Sequence, residues 1–102
     1  VITISRQGDC FVARDQSGQL ASCHFAIQGD TVVLDALEYQ DLPVIDGVLR
    51  ACLAHCLDRD ISFYRPGDEC CRQTIAVLGY PPAAGGAYSV PGLFMVRLCH
   101  IK

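Results

Sequence analysis

At Tyr39 the hydrophobic period of the chain changes, and that change limits what it can fold into. Upstream, apolar residues alternate with polar ones every second position, the pattern of half-buried strands. Downstream, Ile45, Val48, Leu49, Cys52 and Cys56 recur at about 3.6-residue spacing and fall within one arc of a helix, with Asp46, Arg50 and Asp58 away from it. The segment Tyr39-Gln40-Asp41-Leu42-Pro43-Val44-Ile45-Asp46-Gly47-Val48-Leu49-Arg50-Ala51 is therefore a strand feeding straight into a helix. Asp41 is the expected N-cap, and Pro43 is tolerated because it falls in the first turn.

The remaining elements follow from turn chemistry. Ile2 and Ile4 open with period two, and Cys10 to Arg14 makes a second short run closed by Asp15-Gln16-Ser17-Gly18. Leu20 to Gln28 and Thr31 to Tyr39 read as strands joined by the tight Gly29-Asp30 turn, so an antiparallel meander is expected. Ile61 to Arg65 is a short strand. Asp68 caps a second helix, Glu69 to Leu78, which Gly79 stops in the left-handed conformation. Gly85-Gly86 is a loop, and Leu93 to Ile101 a last strand. The expected order is β-β-β-α-β-α-β, within a single domain over residues 1–102.

Composition excludes several classes. The chain has 102 residues, 51% hydrophobic and 19% charged, which suits one compact core. A net charge of −3 with no basic run offers nothing to nucleic acid or to an anionic membrane. No apolar stretch approaches the ~18–20 residues that span a bilayer. The first residues lack the charged-then-apolar pattern of a secretory leader. Seven cysteines, an odd number placed inside periodic apolar segments, read as free thiols in a reducing cytoplasm.

The order of elements resembles the core of the GNAT (Gcn5-related N-acetyltransferase) superfamily, starting at the meander without the pair of helices that usually precedes it. Gly47-Val48-Leu49-Arg50-Ala51-Cys52-Leu53 is similar to the family's "xLLRAAL" helix, and Thr74-Ile75-Ala76-Val77-Leu78-Gly79-Tyr80 to its "YEKLGF" helix end. The resemblance covers residues 10–100. It implies an α+β fold with a mixed, mostly antiparallel sheet flanked by two helices. It also implies acetyl-CoA as acyl donor and a small-molecule or peptide amine as acceptor, with a homodimer completing the acceptor wall. Its pyrophosphate loop, Q/R-x-x-G-x-G/A, falls on Gln40, Pro43 and Ile45. Such a loop holds a diphosphate with successive backbone N–H groups at a helix N-terminus. Here Pro43 deletes a donor, Ile45 fills space, and Asp41 and Asp46 add negative charge.

By that resemblance, Leu37, Tyr39, Gln40, Val44, Ile45, Asp46 and Gly47 face the cofactor. Glu38, ending its strand, is the candidate general base acting through a water. The family's tyrosine acid corresponds to Ile75, so the role is vacant unless Tyr80, the leading candidate, or Tyr64 or Tyr88 supplies it from elsewhere. The alternative function is a non-catalytic GNAT-like module that has lost coenzyme A binding and holds a peptide or subunit instead. Cys52, His55 and Cys56 read as core rather than a zinc site, because they lie in a regular helical stripe without the turns of a zinc knuckle. Cys70 and Cys71 begin a helix, where one thiol is a candidate for enhanced reactivity. Val90 to Met95 reads as the entry to an ordinary core strand.

Overall fold

The computed structural model describes residues 1–80 and 88–90. Among them a six-stranded sheet keeps chain order from edge to edge: β1 (Thr3–Gln7), β2 (Cys10–Asp15), β3 (Gly18–Gln28), β4 (Thr31–Tyr39), β5 (Phe63–Pro66) and β6 (Tyr88–Ser89). Helix α1 (Leu42–Leu57) joins β4 to β5, and α2 (Glu69–Leu78) follows β5. The mixed, mostly antiparallel α+β architecture expected from the sequence is the one observed. It begins one strand earlier, because the Ile2–Ile4 alternation pairs with β2 as an edge strand. The expected Leu93–Ile101 strand, the Gly85-Gly86 loop and most of the Val90–Met95 segment lie outside the described residues. β6 had no clear signal in the sequence; it pairs antiparallel with β5.

The first four strands are joined by three two-residue hairpins, closed by the pairs Gln7–Cys10, Asp15–Gly18 and Gln28–Thr31. The side chain of Asp15 accepts the Ser17 N–H at 2.8 Å, which holds the second turn. Such short turns fix register, and register fixes which side chains reach the core.

Phe11, Ala13, Ala21, Cys23, Phe25, Val32, Leu34 and Leu37 line the inner face of the sheet. Against them pack Ile45, Val48, Leu49, Cys52, Leu53 and Cys56 of α1 and Cys71 and Ile75 of α2, all in one core. Each large apolar side chain buried this way is worth ~1.5–3 kcal/mol. His55 sits on the flank of that stripe, its ring 5.6 Å from Phe11 and 6.1 Å from Phe25. Cys52 and Cys56 are thus core residues, as read. The longer helix, α1, has 16 residues, and no helix among the described residues is long and apolar enough to cross a membrane.

Helix α2 is capped at both ends as expected. Asp68 accepts the Cys71 N–H at 2.8 Å, and Gly79 adopts φ 79°, sending its own N–H and that of Tyr80 back to Ala76 and Ile75. Asp41 occupies the N-cap position of α1 with extended backbone, but its side chain makes no capping bond.

Candidate functional site

The site expected around the end of β4 is shaped by two local events. β4 and β5 run parallel only as far as Leu34–Pro66, after which β4 continues to Tyr39 without a strand partner on that side among the described residues. Within the same stretch the pairing with β3 slips: His24 faces Asp35 and Ser22 faces Glu38, so Ala36 and Leu37 together oppose Cys23. That two-against-one count is a β-bulge, and Ala36 carries the positive φ of 51° that goes with it. The bulge keeps Leu37 and Tyr39 on the inner face and puts Glu38 on the outer one.

Two grooves meet at Tyr39. One, of about 290 Å³, is lined by Tyr39, Leu42, Cys70, Gln73, Thr74 and Val77, between the start of α1 and α2. The other, of about 310 Å³, is lined by Gln19, Leu20, Ala21, Glu38, Tyr39 and Gln40. The Tyr39 and Thr74 hydroxyls are hydrogen-bonded at 2.8 Å and close the floor between strand and helix. Leu42 and Val77 are exposed apolar residues on the rim of the first groove.

The start of α1 has few free donors. Pro43 has no N–H, and the N–H groups of Val44 and Ile45 both go to the Asp41 carbonyl at 3.2 Å. Ile45 is fully buried in the core, as is most of Leu37, while Gln40 stays exposed and Val44 half-buried. Gly47 lies under β1, where an added Cβ would sit 3.2 Å from Ile4 Cδ1. Asp46 does not face the helix terminus: Arg50 Nε donates to its two oxygens at 3.0 and 3.2 Å, and the Tyr80 hydroxyl donates to Oδ1. The Arg50 guanidinium also lies 5.2 Å from the Tyr80 ring centroid, and its Nη1 is buried without a hydrogen-bond partner among the described residues.

The two candidate catalytic residues are consequently in different settings. Glu38 is exposed on the outer face. Tyr80 is buried, and burial, together with the Asp46 carboxylate it donates to, pushes its phenol well above the usual range. The structure joins Tyr80 to Asp46 and Arg50, and joins Tyr39, at the end of β4, to α2.

Of the thiols at the start of α2, Cys71 is buried and pushed up to about 12 by burial and by Asp68, whereas Cys70 is exposed in the first groove. The Gly67 backbone hydrogen bond at Cys71 favours the thiolate, but burial and the nearby Asp68 carboxylate outweigh it.

Two arrangements escaped sequence reasoning. Asp68 reaches past its own helix to accept the Ala36 N–H at 3.0 Å. His24 Nδ1 and Asp35 Oδ1 lie 2.6 Å apart on the outer face. The second was encoded in the hairpin: counting outward from Gln28–Thr31 pairs residue 24 with residue 35.

Comparison with solved structures gives two matches of high similarity in shape. A probable acetyltransferase from Staphylococcus epidermidis superposes with a TM-score of 0.59 at 12% identity, over 78% of this chain and 61% of that one. The ribosomal-protein-S18-alanine N-acetyltransferase from Escherichia coli superposes with a TM-score of 0.55 at 12% identity, over 82% and 66%. The chain has the GNAT fold. It spans under two thirds of the length of either GNAT neighbour. No protein-family model and no curated protein matches the sequence.

Proposed function

We propose that this GNAT-fold chain is an N-acyltransferase that takes an acetyl group from acetyl-CoA to a small or peptide amine. The observation that carries this reading is the opening of β4 away from β5 after Leu34, with a groove at the start of α1. In this reading the donor's pantetheine arm runs beside the unpaired part of β4, along Leu37 and Tyr39. The amine approaches on the outer face, where Glu38 takes its proton through a water. Its nitrogen then attacks the thioester carbonyl, the C–S bond breaks, and the thiolate leaves with a proton. The free thiols of the described chain support a reducing, cytoplasmic setting.

A second reading is favoured by the hydrogen-bonding of the same backbone. Pro43 lacks a donor, Val44 and Ile45 are bonded to Asp41, and the Ala36 N–H is held by Asp68. Groups that would contact a diphosphate or an acyl oxygen are already satisfied, at about 1 kcal/mol or more to displace each. On this reading the chain keeps the fold as a binding module, with Leu42 and Val77 presenting apolar surface to a peptide or to a second copy.

Calorimetric titration of acetyl-CoA into reduced protein at low salt tests the first reading. Saturable micromolar binding that Val44→Asp weakens supports the transferase, and an amine screen follows. Absence of heat up to millimolar ligand overturns it in favour of the binding module.

A further inference from the structure

The outer face of the sheet carries a row of reactive groups away from the groove at α1. Cys10 on β2, His24 on β3 and Asp35 on β4 are successive register partners. Residues directly opposite in a sheet share a face, so the three stand side by side across three strands. The Phe25 N–H donates to the Asp9 carbonyl at 2.8 Å, which makes residues 9 and 25 a hydrogen-bonded pair. Cys10 and His24, one step along, are then a non-hydrogen-bonded pair, the closer kind, with Cβ atoms about 4.5–5.5 Å apart. His24 and Asp35 are in contact at 2.6 Å, each 38% exposed, and Cys10 is a partly exposed free thiol. Asp35 engages Nδ1, so Nε2 is the nitrogen left to face a proton donor, and no described residue bonds it.

We propose that Cys10 is a nucleophile toward activated acyl groups, esters or thioesters, with His24 as its base and Asp35 as the residue that positions the ring. The Cys10 proton passes to His24 Nε2, Sγ attacks the acyl carbonyl, and the bond to the leaving alcohol or thiol breaks. The leaving group takes the proton from Nε2, and Cys10 is left as a thioester. Water, deprotonated by His24, then attacks that thioester, releasing a carboxylic acid and restoring the thiol. This constellation of thiol, imidazole and carboxylate is recognised by roles rather than by fold. Gln7, Val12, Ser22, Ala26 and Val33 surround the row without charge. The charged groups on that face are Arg14, next after Val12 on the Cys10 side of β2, Glu38 beside Ser22, Asp68 at the bulge and Arg65, whose Nη2 is 3.1 Å from Gln28 Oε1.

The test is reaction of the intact reduced chain with p-nitrophenyl acetate, read by nitrophenolate release and by peptide mass. The expected result is a burst that places one acetyl group on the Cys10 peptide. That burst slows at least about tenfold in His24→Asn, which also removes the lower limb of its pH profile. Asp35→Asn slows it while altering that limb. Acetylation of Cys70 in preference to Cys10, or an unchanged rate and pH profile in His24→Asn, overturns the proposal. Competition between Cys10 and Cys70 for iodoacetamide in the unmutated protein needs no variant to fold: faster labelling of Cys10 supports the proposal, and equal or slower labelling overturns it.

Discussion

The carboxylate of Asp68 bridges two elements: Oδ2 accepts the N–H of Ala36, 32 residues earlier, while Oδ1 accepts the N–H of Cys71. One side chain therefore caps α2 and pins the bulge at which β4 leaves β5. Each bond satisfies a donor that its own element leaves orphaned, the first turn of a helix in one case and a bulged residue in the other.

Asp68→Ala should lower stability by about 1–2 kcal/mol, the usual cost of a lost N-cap. Amide exchange should quicken at both Cys71 and Ala36. Faster exchange at Cys71 alone would mean that the contact with Ala36 does not hold the bulge.

Pro43 and Ile45, at the start of α1, should respond unequally to small residues. Ile45→Ala removes a fully buried side chain and should cost about 2–5 kcal/mol in urea unfolding. Pro43→Gly restores an N–H at an exposed position and should stay within about 1 kcal/mol of the parent. If the chain is the proposed acyltransferase, calorimetry should show tighter acetyl-CoA binding for Pro43→Gly than for the parent; identical affinity would show that an N–H at position 43 does not contribute to binding.

Two glycines should respond oppositely to alanine. A Cβ at Gly67 would lie 2.7 Å from Val33 Cγ1 and 3.0 Å from Asp35 Cβ, because Gly67 packs against β4 and donates to the Leu34 carbonyl at 2.7 Å. Gly67→Ala should cost about 1–3 kcal/mol by overpacking. At Gly47 the neighbour is the mobile end of Ile4, and alanine favours the helix by roughly 0.5–1 kcal/mol. Gly47→Ala should therefore be neutral or stabilising, and a comparable loss at both positions would contradict this account.

Stability should fall on the alkaline side. The Cys71 thiol is raised from 9.0 to about 12 by burial, and Tyr80 is raised as well, by burial and by Asp46. Below pH 9 these groups are protonated in both states, so their contribution is fully present. Above it the unfolded chain releases protons that the folded chain keeps, and stability declines toward pH 12. Urea midpoints measured across that window should decrease steadily, and Cys71→Ala should flatten the early part of the decline. A flat profile would contradict the burial of these groups.

Most of the fold was legible because it is written in short-range patterns. Two-residue turns set the meander, the change of period at Tyr39 placed α1, and Asp68 with Gly79 bounded α2. The candidate site was legible only as a location. Asp46 looked like a charge at the helix terminus; it points instead to Arg50 and Tyr80, because residues 46 and 50 are one helical turn apart and Tyr80 returns from α2 to meet them. The His24–Asp35 pair was recoverable by counting the hairpin outward from Gln28–Thr31.

The sequence by itself determined β2 to β5, the two helices, the caps of α2 and the buried face of α1, since those depend on periodicity and on the backbone preferences of neighbouring residues. Only the tertiary structure decided the fate of the bulged Ala36 donor of β4 and the direction in which Asp46 points. Ala36 is satisfied by Asp68, 32 residues away, and long-range hydrogen bonds leave no periodic trace in a sequence.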